Sequence, residues 1–293
     1  MMLAANHWVI APLLLPLLAG ILLLIFRERA VGIQRSLGLV ATVGLLVPVT
    51  FLIQAVGEGD ILTYALGDWP MPYGIVLVAD RLSVTMLTIT ALLAIPTLLY
   101  AMRGTDTRGH HFHVLFQLQL FGLNGAFLTG DLFNLFVFFE VLLLASYGLL
   151  LHGGDRSVTR AGLHFVVINL AGSALFLVAV GMLYGVLGTL NMADLAVRVP
   201  EAPATDRGLL QAAGLLLFAV FALKAALLPL HLWLPGAYSR TTAPVAALFA
   251  IMTKVGAYAI LRVGTLIFGA QAGLLANLYD PWLLPLALVT LAV

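Results

Sequence analysis

The chain contains no cysteine in 293 residues. That excludes disulfides, thiolate metal centres and cysteine nucleophiles, and leaves the redox compartment open. Charge is nearly as scarce: charged residues make up 9% of the chain against 62% hydrophobic, with a mean hydropathy of +1.09. Soluble domains carry about a quarter charged residues, so the composition reads as an all-α polytopic membrane protein. A net charge of +1 offers no electrostatic footprint for nucleic acid. No Gly- or Ser-rich linker divides the sequence and no tandem repeat is visible, so residues 1–293 are expected to form a single transmembrane domain. Phosphate loops, nucleophile elbows and haem-ligand patterns are also missing, which argues against an enzyme of the soluble type and against a bound cofactor.

What is present is a series of apolar runs. They predict spans at about 8–26, 36–56, 80–102, 113–130, 132–152, 161–185, 209–233 and 243–268. Each is near the ~20 residues a bilayer requires. A ninth run, 282–293, stops short of that length, so the sequence reads as cut short at its C-terminus. The basic residues near the first run follow it rather than precede it, the wrong order for a cleaved signal peptide, so a retained span is expected. Arg27, Arg29, Arg35, Arg103, Arg108, Arg156, Arg160 and Arg240 fall in loops on one side, against Arg198 and Arg207 on the other. The first group is predicted to be cytoplasmic, with the N-terminus outside. The outer segment 57–79 suggests a short hairpin, and 193–206 a short surface helix.

Against this background three charges stand inside apolar runs: Glu140, Lys224 and Lys254. A charge at mid-bilayer costs roughly 2.5–3.5 kcal/mol even on lenient insertion scales, so such residues suggest a route for ions or protons. Lys224 is followed five positions later by Pro229. Proline lacks the amide hydrogen and its ring clashes with the carbonyl four residues back, here Ala225, so the helix is predicted to break just beyond the lysine. His231 would lie two turns beyond Lys224 on the same face if the helix were unbroken. The competing reading is a structural kink with a snorkelling lysine. Glu140 beside Lys224 would keep both groups charged, whereas alone it would protonate; a static ion pair locking two helices is the alternative. Lys254, with Tyr258 and Arg262 on its face, suggests a second station, or else a lysine facing lipid-bound water.

Weaker candidates surround these. His164 and Asn169 share the sixth span; His164 could feed or bridge the two lysines, or simply bond between helices. Asp131 and Asn134 read as a helix start. Asp80 and Arg81 suggest a local charge pair. His110, His111 and His113 lack a carboxylate or cysteine at ligand spacing and read as surface histidines rather than a metal site. Gly181 and Gly185 suggest close helix packing.

Two stretches carry a family likeness: TGDLFNLFVFFEVLLLASYGLLLHG at 129–153 and KAALLPLHLWLPGAYSRTTAPVAALFAIMTKVGAYAILR at 224–262. They resemble the antiporter-like subunits shared by Mrp-type multisubunit monovalent cation/proton antiporters and respiratory complex I, and look most like the D-type subunits of the former. DRLSVTMLTI at 80–89 fits the family's third span. Complex I relatives tend to carry an acidic residue and a histidine where this chain has Gly236 and Tyr238. The resemblance implies an antiporter-like bundle built from inverted repeats, each with one broken helix. This chain would supply the first repeat, with the break near Pro229, about eight complete spans and part of a ninth; the second repeat is absent. It further implies a subunit of a secondary Na+ or K+/proton antiporter, carrying protons over Glu140, Lys224 and Lys254 with His231 after the break. The alternative it leaves open is a proton-pumping membrane-arm subunit of a complex I-like oxidoreductase or membrane hydrogenase. Partner subunits, a bacterial cytoplasmic membrane and no cofactor belong to the same expectation.

Overall fold

The computed structural model describes residues 2–26, 31–154 and 156–292. Arg27 and Arg29, which enter the charge asymmetry above, lie outside the described residues. The helices run in the order α1 (Met2–Ile25), α2 (Val31–Gly44) and α3 (Leu46–Gly57), followed by strands β1 (Leu62–Ala65) and β2 (Val76–Ala79). Then come α4 (Arg81–Ala101), α5 (Phe112–Leu128), α6 (Leu132–Leu151), α7 (Arg156–Leu187) and α8 (Met192–Glu201). The last group is α9 (Arg207–Lys224), α10 (Trp233–Tyr238), α11 (Ala243–Leu266) and α12 (Asp280–Leu291). Among the described residues eight helical stretches are long and apolar enough to cross a membrane.

The count matches the expected eight, but its members differ. The stretch Gly273–Leu291, expected to be incomplete, is long enough, whereas α5 has only 17 residues. At 1.5 Å per residue α5 is about 25 Å long, short of the ~30 Å hydrocarbon core. It tolerates this because protein, not lipid, surrounds it: most of its residues are buried. Gly122 lets α6 approach to contact, since a Cβ there would come within 2.8 Å of the Leu142 backbone nitrogen. The expected second span is interrupted at Leu45, between α2 and α3. Pro48 cannot donate to the Gly44 carbonyl, so the ladder loses a bond at that point.

Polar side chains on α5 reach carbonyls of the neighbouring helices. Pro16 of α1 leaves the Pro12 carbonyl without its helical donor, and Asn124 Nδ2 donates to that carbonyl at 2.9 Å. Gln117 Nε2 donates to the Gly38 carbonyl at 3.1 Å and to Thr42 Oγ1 at 2.9 Å. A buried carbonyl left unpaired costs about 1–3 kcal/mol, which accounts for Asn124 inside an apolar bundle.

The hairpin expected at 57–79 forms, with β1 and β2 antiparallel and Leu62 opposite Ala79. His7 at the start of α1 meets Tyr64 of the hairpin, ring centroids 5.6 Å apart, so the chain's N-terminal region and the hairpin share one end of the bundle. The short helix expected at 193–206 is α8, capped by Asn191. Asp131 caps α6, accepting from the Asn134 amide at 2.8 Å.

Three local expectations are corrected. Asp80 does not pair with Arg81. It caps α4 and takes both carboxylate oxygens to Arg262 of α11, while Arg81 donates to the carbonyls of Val56 and Gly57. A guanidinium fork matches a carboxylate bidentately, which a neighbour on the same turn cannot do as well. His113 is not a surface residue. It is 3% exposed and bonds Asp106 at 3.1 Å, and Asp106 is also held by Arg35 at 2.7 Å. Gly181 and Gly185 pack against nothing within 4 Å among the described residues.

The Asp80–Arg262 pair also engages Tyr258, whose hydroxyl accepts from Arg262 Nη2 at 2.9 Å and donates to the Phe127 carbonyl at 2.7 Å. It therefore ties α4, α5 and α11 at the hairpin end. Partial burial by itself raises the Asp80 carboxyl pKa, but Arg262, together with the Ser83 amide and hydroxyl, outweighs it and holds the group at about 2. A carboxyl lowered on folding stabilises the fold above its unfolded value, 3.8, and loses that contribution as pH falls toward about 2. Asp80→Asn keeps the helix cap but removes the charge. The variant is expected to unfold at a lower temperature in detergent at pH 6, and to show a flatter decline in melting temperature between pH 4 and pH 2 than the parent. Equal acid profiles would contradict this assignment.

Candidate functional site

The break predicted beyond Lys224 is present: α9 ends at that residue, an irregular turn follows, and α10 begins at Trp233. Ala226 lies in the left-handed region at φ 56°. Backbone groups freed at membrane depth need partners. Trp233 Nε1 donates to the Leu223 carbonyl at 3.0 Å, and the Leu228 amide donates to Thr290 Oγ1 of α12 at 2.9 Å. The turn is pressed against α11 at Gly256, where a Cβ would stand 2.3 Å from the Ala225 nitrogen and 2.7 Å from the Lys224 carbonyl carbon.

Lys224 is 4% exposed. Its Nζ donates to the Asn169 carbonyl, to Asn169 Oδ1 and to Ser173 Oγ, each at 3.4 Å. The Phe139 ring lies 5.6 Å from Nζ, close enough for a cation–π contact. All three hydrogen bonds exceed the 2.7–3.2 Å typical of N–H donors, so the ammonium is surrounded but not tightly clamped. Glu140 of α6 is half-buried and does not form an ion pair with Lys224 among the described residues. Instead Ser173 Oγ makes a short hydrogen bond to Glu140 Oε1. The expected direct Glu140–Lys224 pair is thus a bridged one: carboxylate, hydroxyl, ammonium. The physical reason is helix order. Ser173 and Asn169 of α7 lie one turn apart on one face and stand between the two charges. Phe139, Phe176 and Phe221 stack around the site with centroids 5.4–6.4 Å apart, packing residues that keep the surroundings apolar.

Chemically, a hydroxyl both accepts and donates, so a Ser between a lysine and a carboxylate can pass a proton by reorienting. Sequence reasoning misses Ser173. The available signal is the Asn169–Ser173 spacing of four within an apolar span, a polar pair facing one neighbour.

The other candidates are not gathered here. Lys254 is exposed on α11, and its hydrogen bond, to adjacent Thr253 Oγ1, is 3.4 Å long. It lies two residues before Gly256, which faces the break, so Lys254 points to roughly the opposite side of the helix. His231 sits in the turn after the break, partly buried, and its Nδ1 is buried without a hydrogen-bond partner among the described residues. His164 is exposed and lines a cleft with Arg156, Arg160 and Arg240. It precedes Asn169 by five residues, about 140° around the helix, and so faces away from Lys224. No group of three or more His, Cys, Asp or Glu residues suited to a metal occurs among the described residues.

A bundle with a broken helix, a buried lysine at the break and a carboxylate one hydroxyl away defines a class of polytopic membrane proteins with ionisable side chains inside their spans. Residues 129–292 match the family described as NADH:quinone oxidoreductase/Mrp antiporter, TM, and the chain belongs to it. It is 47% identical over 292 residues to a probable K(+)/H(+) antiporter D subunit of Rhizobium meliloti (strain 1021), covering 98% of this chain and 54% of that protein. Its fold superposes on a chain of the Mrp complex from Dietzia sp. DQ12-45-1b with a TM-score of 0.83 at 29% identity, covering 98% of this chain and 52% of the other. A chain of the membrane-bound sulfane sulfur reductase, an archaeal respiratory membrane complex, gives 0.86 at 25% identity, covering 97% and 57%. The chain thus spans about half the length of the curated relatives it matches.

The contact at Gly256 yields a test of the site's packing. Gly256→Ala drives a methyl into backbone atoms that cannot swing aside, at a cost of about 1–3 kcal/mol. Gly181→Ala, with nothing within 4 Å, is the control. Melting temperature in detergent is expected to drop for the first and not for the second; equal behaviour would contradict the close approach of α11 to the break.

Proposed function

We propose that this chain forms part of one subunit of a secondary monovalent cation/proton antiporter, and that Lys224 is its proton-holding station. The observation that carries this reading is the Lys224–Ser173–Glu140 bridge at the helix break. A buried ammonium held by three long hydrogen bonds can lose its proton with little rearrangement, and Glu140 opposes that loss through the field at its end of the bridge. His231, whose Nδ1 has no hydrogen-bond partner among the described residues, offers a hydrogen-bonding position for water entering the turn. From Lys224 the proton passes to Lys254 around α11 by way of water, and onward to groups outside this chain. His164 stands apart from this route. The cation, Na+ or K+, crosses this subunit or a partner, and the energy source is the opposing proton gradient. The Arg-rich loops support an orientation with the N-terminus outside, and the bacterial relatives support a bacterial cytoplasmic membrane as its setting.

A second reading has a specific observation in its favour, the match to a chain of an archaeal respiratory membrane complex. There the same stations would be driven by electron transfer in other subunits. The two readings differ in what starts proton movement.

The test uses the full-length protein expressed with its neighbouring subunits in inverted membrane vesicles. A pH gradient is imposed, Na+ or K+ is added, and a pH-sensitive dye is followed. Cation-triggered collapse of the gradient is expected in the parent and is expected to vanish in Lys224→Ala at unchanged membrane abundance. Retained exchange in that variant would sink the proposal. A silent, well-assembled parent would favour the redox-driven reading.

A further inference from the structure

The first turns of α7 carry Arg156, Arg160 and His164 at intervals of four, one stripe along the helix, and all three are exposed. Gly236 of α10 and Arg240 close the opposite wall of a cleft of about 550 Å³. Like charges at this spacing repel. Among the described residues no carboxylate lines the cleft, and Arg156, Arg160 and Arg240 form no ion pair. Arg240 also borders a second cleft of about 360 Å³, shared with Arg108, His152, Thr241 and Thr242. There the Thr241 and Thr242 hydroxyls are buried without a hydrogen-bond partner among the described residues. Adjoining clefts that share Arg240 and are lined by guanidinium groups are suited to a phosphate group.

The surface beyond the stripe indicates which phosphate. Continuing along α7, the exposed residues become apolar: Leu163, Val167 and Leu170 are 57–65% exposed. Val167 follows His164 by three and Arg160 by seven, so it prolongs the basic stripe into the membrane. A basic head followed by an apolar wall on one helix face matches an amphiphile, not a free anion.

We propose that the two clefts meeting at Arg240 bind the phosphate headgroup of an anionic membrane phospholipid, with its acyl chains lying along Leu163, Val167 and Leu170 of α7. Arg156, Arg160 and Arg240 hold the phosphate. The occupied site joins the start of α7 to α10 and to the segment linking α10 and α11. The inference does not depend on which ion the protein moves.

The test uses the full-length protein with its partner subunits, purified in detergent and examined by native mass spectrometry. Phosphatidylglycerol or phosphatidylcholine is supplied, with inorganic phosphate as competitor. The parent is expected to retain phosphatidylglycerol and not phosphatidylcholine. Arg160→Gln and Arg240→Gln are each expected to weaken retention roughly fivefold, and Arg160→Lys to keep most of it. In the parent, a phosphatidylglycerol with a photoreactive acyl chain should label the α7 peptide containing Val167, a readout that needs no variant to assemble. Equal retention in parent and glutamine variants would overturn the proposal. So would displacement by inorganic phosphate without acyl labelling of α7, which would mark a free-anion site. A cross-link showing an acidic segment of a partner subunit in the cleft would also overturn it.

Discussion

Lys224 puts an ammonium group 4% exposed at the end of a helix inside the protein. Removing that charge from water is costly, and the surroundings offset the cost only in part. No carboxylate pairs with it among the described residues. A carbonyl, an amide oxygen and a hydroxyl each approach to 3.4 Å, and an aromatic face lies 5.6 Å away. This is a balance between a charge held and a charge released. A direct ion pair would hold the proton more firmly, and an apolar pocket would expel it. Ser173, placed between Lys224 and Glu140, couples the lysine to a negative charge without letting the two collapse into a fixed pair.

Much of the remaining structure keeps that arrangement in place. The helix must stop at Lys224 for its side chain to sit at a helix end, and Pro229 makes continuation impossible. The break must then be dry or satisfied. Trp233 bonds the Leu223 carbonyl and Thr290 the Leu228 amide, and Gly256 lets α11 close over the turn. At the hairpin end, Asp80, Arg262 and Tyr258 fix α11 against α4 and α5, so the helix that seals the break is itself anchored. On α5, Gln117 and Asn124 satisfy carbonyls of α2 and α1, holding the short helix that α6, and with it Glu140, packs upon.

The features legible in the sequence are those with a steep physical cost. Lys224, Glu140 and Pro229 stand out because a membrane span tolerates few such residues, and the break falls where Pro229 predicts it. The hairpin at 62–79 and the helix α8 follow from turn residues and polarity. What cannot be read are partners that depend on three-dimensional neighbours. Asp80 looks paired with Arg81 because they are adjacent, yet its partner is 182 residues away. Ser173 carries no signal by itself, since a serine in a membrane helix usually bonds its own backbone. Lys254 resembles Lys224 in sequence depth, but helix rotation turns it outward while Gly256 faces in.

Everything proposed for Lys224 depends on the hydroxyl between the two charges. The most direct measurement is the initial rate of cation-triggered proton flux in vesicles containing the full-length complex, comparing Ser173→Ala with Ser173→Thr at matched expression. A hydroxyl link predicts that alanine slows the flux by about an order of magnitude or more while threonine, which restores the hydroxyl, recovers most of it. Equal rates for parent, alanine and threonine forms would contradict the bridge and return Lys224 and Glu140 to independent roles.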